Sequence, residues 1–242
     1  MRHLPNFITL LNLLSGCIAI VFVGIGSYDM AFYFVCLGIF FDFFDGFFAR
    51  LLKVSSPLGV QLDSLADMVT SGLVPGFVMF RFIFENQNEG FSTLDDFFPL
   101  SHVVPLVGFL ITLGAAYRLA KFNIDTRQTK GFLGLPTPAN ALFIMSLPLV
   151  MQQYDSGWVY ELLSNTYVLI GLSILSTIIM NVEIPLFSLK VSKEKNTSMM
   201  LSVVLLVMAI TLYFTIGLAA VPLTIVSYIL LSLLFYRPKN AS

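Results

Sequence analysis

Long stretches without a charged residue constrain this chain more than any other feature. Residues 5–26 and residues 198–236 contain no Asp, Glu, Lys or Arg. A helix crosses the hydrocarbon core of a bilayer with about 20 apolar residues. Only 11% of the 242 residues are charged and 57% are hydrophobic, whereas soluble domains carry about 25% charged residues. The sequence therefore predicts an all-α integral membrane protein.

The hydrophobic runs predict a bundle of about eight transmembrane helices. The first run is too long for the apolar part of a signal peptide, so we interpret it as the first span. No linker or repeat divides the chain, which predicts a single domain over residues 1–242. The predicted spans cover residues 5–26, 30–51, 58–84, 100–122, 137–153, 162–182, 198–216 and 219–236.

The basic residues predict the orientation of the bundle. With both termini in the cytoplasm, twelve of the thirteen Lys and Arg residues fall on the cytoplasmic side, and only Arg81 falls outside. This asymmetry follows the positive-inside rule, so we expect a multi-pass protein of the cell membrane. The cytoplasmic residues are Arg2, Arg50, Lys53, Arg118, Lys121, Arg127, Lys130, Lys190, Lys193, Lys195, Arg237 and Lys239.

Four aspartates interrupt this apolar chain within 26 residues. Asp42 and Asp45 lie at the cytoplasmic end of the second span, and Asp63 and Asp67 lie at the start of the third. Each pair has helical i, i+3 or i, i+4 spacing, so each occupies one face of its helix. Because the loop between the spans is short, the spans form a hairpin, about residues 30–84, in which the four carboxylates converge.

Such a cluster predicts a cation site. An aspartate at the centre of a membrane helix costs about 2.5–3.5 kcal/mol, and mutual repulsion adds to that cost. A set of oxygen ligands without His or Cys suits Mg²⁺ or Mn²⁺, and two such ions suit displacement at phosphorus.

Small and basic residues accompany the aspartates. Gly46, Ala49 and Gly59 lack bulk on the faces that carry the carboxylates, which leaves room for close helix packing or for a nucleotide. Arg50 and Lys53 supply cations for phosphate oxygens at the same depth.

The same residues carry a recognisable pattern, D-x2-D-G-x2-A-R-x8-G-x3-D-x3-D. Its eight fixed positions are all present and resemble those of the CDP-alcohol phosphotransferase family of membrane enzymes. In this chain they are Asp42, Asp45, Gly46, Ala49, Arg50, Gly59, Asp63 and Asp67.

The resemblance implies transfer of a substituted phosphate from a CDP-linked donor to an alcohol, with release of CMP. It implies that Asp42, Asp45, Asp63 and in part Asp67 bind two divalent metal ions. Asp67 would also be the general base. The pocket for CDP would be lined by Asp42, Gly46, Ala49, Arg50 and Gly59.

Three further segments are similar to lipid-synthesising members of this family. In P-N-F-I-T-L-L-N, residues 5–12, Asn6 and Thr9 would lie near the nucleotide. The other two resemble segments of membrane-embedded phosphatidylserine synthases. They are L-D-S-L-A-D-M-V, residues 62–69, and R-L-A-K-F-N, residues 118–123, which is followed by G-F-L-G-L-P-T-P-A, residues 131–139. The implied donor is CDP-diacylglycerol and the implied acceptor is L-serine, whose carboxylate Arg118 would hold while Asn123 orients it.

Two alternatives stay open at this stage. The acceptor could instead be glycerol 3-phosphate, an inositol phosphate or choline. Arg118 and Lys121 at the end of the fourth span, with Arg127 and Lys130 after it, would suit a phosphorylated acceptor. Intramembrane carboxylates also occur in cation or proton transporters, although those usually place their sites near the midplane in repeated halves. The expected partners are the two substrates and membrane lipids, with no nucleic acid. The last three spans carry no motif and would complete the bundle or a homodimer contact.

Overall fold

The computed structural model describes residues 3–54, 56–87, 103–124, 132–187 and 196–235. This part of the chain is almost wholly helical, which confirms the predicted all-α membrane fold. The longer helices are α1 (Leu4–Gly24), α2 (Tyr28–Leu51), α3 (Pro57–Asp67), α4 (Val74–Gln87), α5 (Leu110–Ile124), α6 (Thr137–Gln153), α7 (Trp158–Ser164), α8 (Thr166–Asn181), α9 (Asn196–Ile216) and α10 (Ala220–Phe235). Short elements are a π-helical turn (Met68–Leu73), 3₁₀ turns (Val104–Phe109 and Gly217–Ala219) and strands β1 (Phe132–Leu133) and β2 (Pro185–Leu186).

The predicted number of spans is not confirmed. Among the described residues, five helical stretches are long and apolar enough to cross a membrane, and a sixth is counted if α7 and α8, bent by 73°, act as one. The fifth predicted span, α6, has only 17 residues. The stretch from Met199 to Phe235 counts as one, although α9 and α10 pack against each other across Gly217, whose positive φ of 62° ends the first helix. Eight spans therefore stay a prediction.

The first three long helices form the layer that carries the aspartates. α1 packs along α2 and also contacts α3 and the π turn. The loop after α2 turns at Lys53, which has a φ of 54°. Ser56 then caps α3 by accepting a hydrogen bond from the Gly59 N–H at 3.0 Å, and Pro57 occupies the first turn, where a missing N–H costs nothing. These local signals bring the two aspartate-bearing helix ends together.

A π-helical turn separates Asp67 from α4. Pro75, near the start of α4, has no N–H, and its ring would clash with the carbonyl four residues earlier in a regular α-helix. The helix widens directly before this proline, over Met68–Leu73. Thr112 of α5 donates a hydrogen bond to the Gly72 carbonyl at 3.1 Å, so a side chain from a neighbouring helix holds the widened turn.

The second half of the chain packs behind this layer. α6 lies between the halves, because it contacts α2 and α4 on one side and α10 on the other. α5 packs against α8, and β1 pairs antiparallel with β2, with Phe132 opposite Leu186. The largest apolar cluster joins residues of every helix from α4 to α10. The last three predicted spans thus contribute to the core of this one bundle.

Candidate active site

A cavity of about 470 Å³ opens between α1, α2 and α3. Eight of the predicted site residues lie on its wall, namely Asn6, Thr9, Asp45, Gly46, Ala49, Arg50, Gly59 and Asp63. Lys53 and Ser56 line it as well. A side chain at position 59 would crowd the cavity wall, because a Cβ at Gly59 would stand 3.3 Å from Asn6 Oδ1 and 3.2 Å from Ser56 Oγ. The predicted nucleotide pocket is therefore a real concavity with both carboxylates and cations on its wall.

Three carboxylates meet beside this cavity, of which Asp45 and Asp63 line it and Asp42, predicted to line the CDP pocket, does not. Asp42, Asp45 and Asp63 each offer an oxygen within 4.8 Å of the others. Asp67, one turn beyond Asp63, interacts electrostatically with Asp63 and Asp45. The hairpin thus brings the four aspartates of the motif into one neighbourhood, with Asp67 on the side away from the cavity lining.

The carboxylate group fits a divalent cation. Asp63 Oδ1 is buried and has no hydrogen-bond partner among the described residues. A buried acceptor without a donor is costly, and a cation satisfies it directly. The oxygen-only set from Asp42, Asp45 and Asp63 matches the preference of hard cations such as Mg²⁺ and Mn²⁺. These residues can therefore hold a metal ion.

Helix α1 forms the third wall and supplies hydrogen-bond donors to the aspartates. Thr9 Oγ1 lies 2.5 Å from Asp45 Oδ2 and 3.0 Å from the Pro5 carbonyl oxygen. A hydroxyl has one proton, so Thr9 donates to only one of these acceptors at a time. Asn12 Nδ2 donates to Asp67 Oδ1 at 3.2 Å. Each aspartate-bearing helix thus receives one donor from α1.

Arg118 of α5 lies near Asp67 and is not among the residues that line the cavity. Its side chain is buried, with 8% exposed, and its Nε has no hydrogen-bond partner among the described residues. It interacts electrostatically with Asp67 and Tyr228. Tyr228 of α10 donates its hydroxyl to the Phe187 carbonyl at 2.9 Å. A buried cation next to the fourth aspartate can bind an anionic group there.

Asn123 lies apart from this pocket. It is exposed at the end of α5, and its amide exchanges hydrogen bonds with Ser64 of α3. Asn123 Nδ2 donates to Ser64 Oγ at 2.9 Å, and Ser64 Oγ donates to Asn123 Oδ1 at 3.3 Å. Its amide therefore joins α5 to α3, so a role in orienting an acceptor stays a prediction.

Sequence reasoning missed two residues at the site. Asn12 follows Thr9 by three positions and Asn6 by six, so a polar stripe along one face of an otherwise apolar span could have revealed it. No sequence signal places Tyr228 near Arg118, because that contact joins helices more than 100 residues apart. Some residues used in the sequence analysis lie outside the described residues. They are Gly131 and the basic residues at 2, 127, 130, 190, 193, 195, 237 and 239.

The sequence model of CDP-alcohol phosphatidyltransferases matches residues 2–179. The chain belongs to this family. The match includes α1, the aspartate hairpin, α5 and α6, so Tyr228 of α10 and its partner Phe187 lie outside the family segment.

Curated relatives within the family share one type of activity. The chain is 34% identical over 161 residues to the CDP-diacylglycerol–serine O-phosphatidyltransferase of Saccharomyces cerevisiae. The aligned region covers 60% of this chain and 53% of that protein. It is 30% identical over 151 residues to the Bacillus subtilis protein of the same name, covering 61% and 76%. It is 31% identical over 185 residues to the archaetidylserine synthase of Methanothermobacter thermautotrophicus, covering 75% and 69%. The match thus spans about half the length of the yeast relative.

Proposed function

We propose that this chain transfers the phosphatidyl group from CDP-diacylglycerol to L-serine, giving phosphatidylserine and CMP. The observation that carries the proposal is the convergence of Asp42, Asp45 and Asp63 beside a cavity of about 470 Å³ that Asp45 and Asp63 line. Membership of the CDP-alcohol phosphatidyltransferase family favours this chemistry over cation or proton transport. The names of the relatives favour serine over glycerol 3-phosphate, an inositol phosphate or choline.

The donor occupies the cavity between α1, α2 and α3. Its cytidine diphosphate lies against Gly46, Ala49 and Gly59, where side chains are smallest, and Arg50 and Lys53 pair with phosphate oxygens. Asn6 and Thr9 close the pocket from α1. The acyl chains extend into the surrounding lipid between the helices.

The four aspartates hold two divalent ions, Mg²⁺ or Mn²⁺. Asp42, Asp45 and Asp63 serve as ligands, and Asp67 contributes in part. When bound, the ions supply charge neutralisation to the diphosphate and to the departing CMP. Asp63 Oδ1, which is buried and has no hydrogen-bond partner in the described part of the chain, supports this assignment.

Asp67 acts as the general base of a direct displacement. The serine hydroxyl oxygen forms a bond to the phosphorus that carries diacylglycerol, and the bond from that phosphorus to the bridging oxygen breaks. CMP leaves with the bridging oxygen, and the hydroxyl proton passes to Asp67. No covalent enzyme intermediate is required. Arg118, buried beside Asp67, binds the serine carboxylate, and catalysis then depends on positioning and proton removal.

The site faces the cytoplasm in this proposal, with both termini on the same side of the cell membrane. Arg50, Lys53, Arg118 and Lys121 all lie at the aspartate end of the bundle, whereas Arg81 lies at the far end beside the last turn of α1. This distribution follows the positive-inside rule. Lipids cover the exposed apolar faces of the single domain, and a homodimer stays a prediction.

Purified protein with CDP-diacylglycerol, Mn²⁺ and a panel of alcohols tests the proposal. We expect CMP release to be fastest with L-serine and the product to have the mass of phosphatidylserine. Fastest CMP release with glycerol 3-phosphate, an inositol phosphate or choline would show that this alcohol, and not L-serine, is the acceptor. Full rate after exhaustive chelation would exclude the metal role, and no release with any alcohol would exclude the enzyme assignment.

A further inference from the structure

Asn12 is a fully buried amide in a membrane-spanning helix, with 0% of the residue exposed. Its Nδ2 donates to Asp67 Oδ1 at 3.2 Å, but its Oδ1 has no hydrogen-bond partner among the described residues. An apolar residue would fill this position in α1 without leaving a buried acceptor unpaired. We therefore attribute the presence of an amide here to the contact that it makes with Asp67.

The position of Asn12 is held rigidly from two sides. Thr70 of the π turn donates its hydroxyl to the Asn12 carbonyl at 3.1 Å. A Cβ at Gly38 of α2 would stand 2.9 Å from Asn12 Oδ1 and 2.6 Å from Thr70 Cγ2, and a Cβ at Gly16 would stand 2.5 Å from Thr70 Oγ1. Because α1, α2 and the π turn approach this closely, the Asn12 side chain has little room to adopt another rotamer.

Asp67 itself lies at the junction between α3 and the π turn. Its carboxylate has two oxygens, and Asn12 occupies one of them. A carboxylate with one oxygen fixed by a neutral donor keeps its other oxygen in a defined direction. Proton transfer requires the base within hydrogen-bond reach of the proton, so the direction of that second oxygen decides how well Asp67 works.

We propose that Asn12 is a positioning residue that fixes the Asp67 carboxylate, so that its second oxygen faces the hydroxyl of the acceptor. The inference rests on the proposed function, in which Asp67 is the base. Asn12 bonds Asp67 and is not among the residues that line the nucleotide cavity. Its removal should therefore affect the chemical step and leave donor binding intact.

The variants Asn12→Ala and Asn12→Asp test the inference in the purified chain of residues 1–242. Partners behind metal ligands typically contribute 10–100-fold in affinity or activity, so we expect the kcat of CMP release to fall by about 10–100-fold. The KM for CDP-diacylglycerol and the Kd for CDP should not change. Asn12→Asp keeps the shape of the side chain but turns a donor into an acceptor facing Asp67, so it separates the hydrogen bond from packing if Asn12→Ala folds poorly.

Ser15→Ala is the matched control. Ser15 is also buried on α1, but its hydroxyl donates only within the helix, to the Leu11 carbonyl at 2.8 Å. This variant should keep the wild-type kcat. A double-mutant cycle with Asp67→Glu, which retains a carboxylate at a different reach, should show that Asn12→Ala costs much less in that background, because coupled residues are not additive.

Each result decides one question. Wild-type kcat in both Asn12 variants, or the same loss in the Asp67→Glu background, would overturn the positioning role. A rise in the Kd for CDP matching the loss of kcat would make Asn12 a nucleotide ligand and also overturn it. If the wild-type chain releases no CMP with any alcohol, the proposed function fails first, and the inference fails with it.

Discussion

Thr9 and Asp45 are joined by a hydrogen bond of 2.5 Å between Oγ1 and Oδ2, across the interface of α1 and α2. Asp45 is 6% exposed, so this contact holds a buried carboxylate of the aspartate cluster from a helix that carries none of the four aspartates. Charge-assisted hydrogen bonds of this kind contribute more than neutral ones. The site is therefore built from three helices, although its signature motif occupies only two.

Replacing Thr9 by valine keeps the shape of the side chain and removes the donor. We expect the affinity for Mn²⁺ to fall by about 10–100-fold, as for other partners behind metal ligands, because Asp45 loses its fixed orientation. Titration of the purified protein with Mn²⁺ measures this. Thr211→Val is the control, since Thr211 is exposed on α9 and donates only to the Val207 carbonyl. An unchanged Mn²⁺ affinity in Thr9→Val would show that the contact does not orient Asp45.

Asp67→Asn should abolish turnover while most of the affinity for CDP and metal remains. The amide cannot accept a proton, and general-base catalysis typically contributes 10²–10⁴-fold, whereas the other three aspartates are intact. CMP release and equilibrium binding of CDP measure the two effects separately. Loss of all CDP binding in a folded variant would instead make Asp67 chiefly a ligand.

Arg118→Gln should raise the KM for L-serine by about 10–100-fold, since hydrogen bonds to charged groups contribute about 1.5–3 kcal/mol. The KM for CDP-diacylglycerol should stay the same, because Arg118 does not line the donor cavity. Lys121→Gln is the matched control, because Lys121 lies one turn further along α5 and pairs with Glu183 at 2.9 Å on the surface. Equal serine KM values in the Arg118→Gln and wild-type proteins would contradict a role in acceptor binding.

Gly46→Ala should weaken donor binding without harming the fold. The nearest atom to a Cβ at this position is Arg50 Nη1 at 3.4 Å, which is an ordinary contact with a flexible side chain. The added methyl group nevertheless enters the cavity that Gly46 lines. We expect a higher Kd for CDP and an unchanged melting temperature. A lower melting temperature with normal CDP binding would indicate a packing role for this glycine.

Arg81→Leu should lower stability without changing the kinetics of the folded protein. Arg81 donates to the carbonyls of Val23 and Gly24 at the end of α1. Its Nε also donates to Glu85. Glu85 in turn accepts a hydrogen bond from the Tyr28 hydroxyl at 2.6 Å. A cation is favourable at a helix C-terminus. Because the side chains of Arg81 and Glu85 are partly exposed, we expect a loss of about 0.5–1.5 kcal/mol, the usual net contribution of a hydrogen bond, measured by thermal unfolding in detergent. An unchanged melting temperature would refute this, with Asp29→Asn as a control at the same end of the bundle.

Arg81 also explains the exception in the charge pattern. In the predicted orientation it is the one basic residue on the outer side, and the structure gives it a local role at the end of α1. Eight of the other twelve basic residues fall outside the described residues, so the orientation stays a prediction.

The sequence by itself determined the membrane fold, the aspartate hairpin and the small residues beside the aspartates. Each of these depends on local information, since hydropathy marks the helices and helical spacing puts Asp42 and Asp45, or Asp63 and Asp67, on one face. Only the tertiary structure decided that Asn12 contacts Asp67, that Tyr228 lies near Arg118 and that Asn123 bonds Ser64. Those contacts depend on how helices distant in sequence rotate and approach one another, which is set by close packing at positions such as Gly38 and the π turn. Periodicity within one helix carries no record of that rotation.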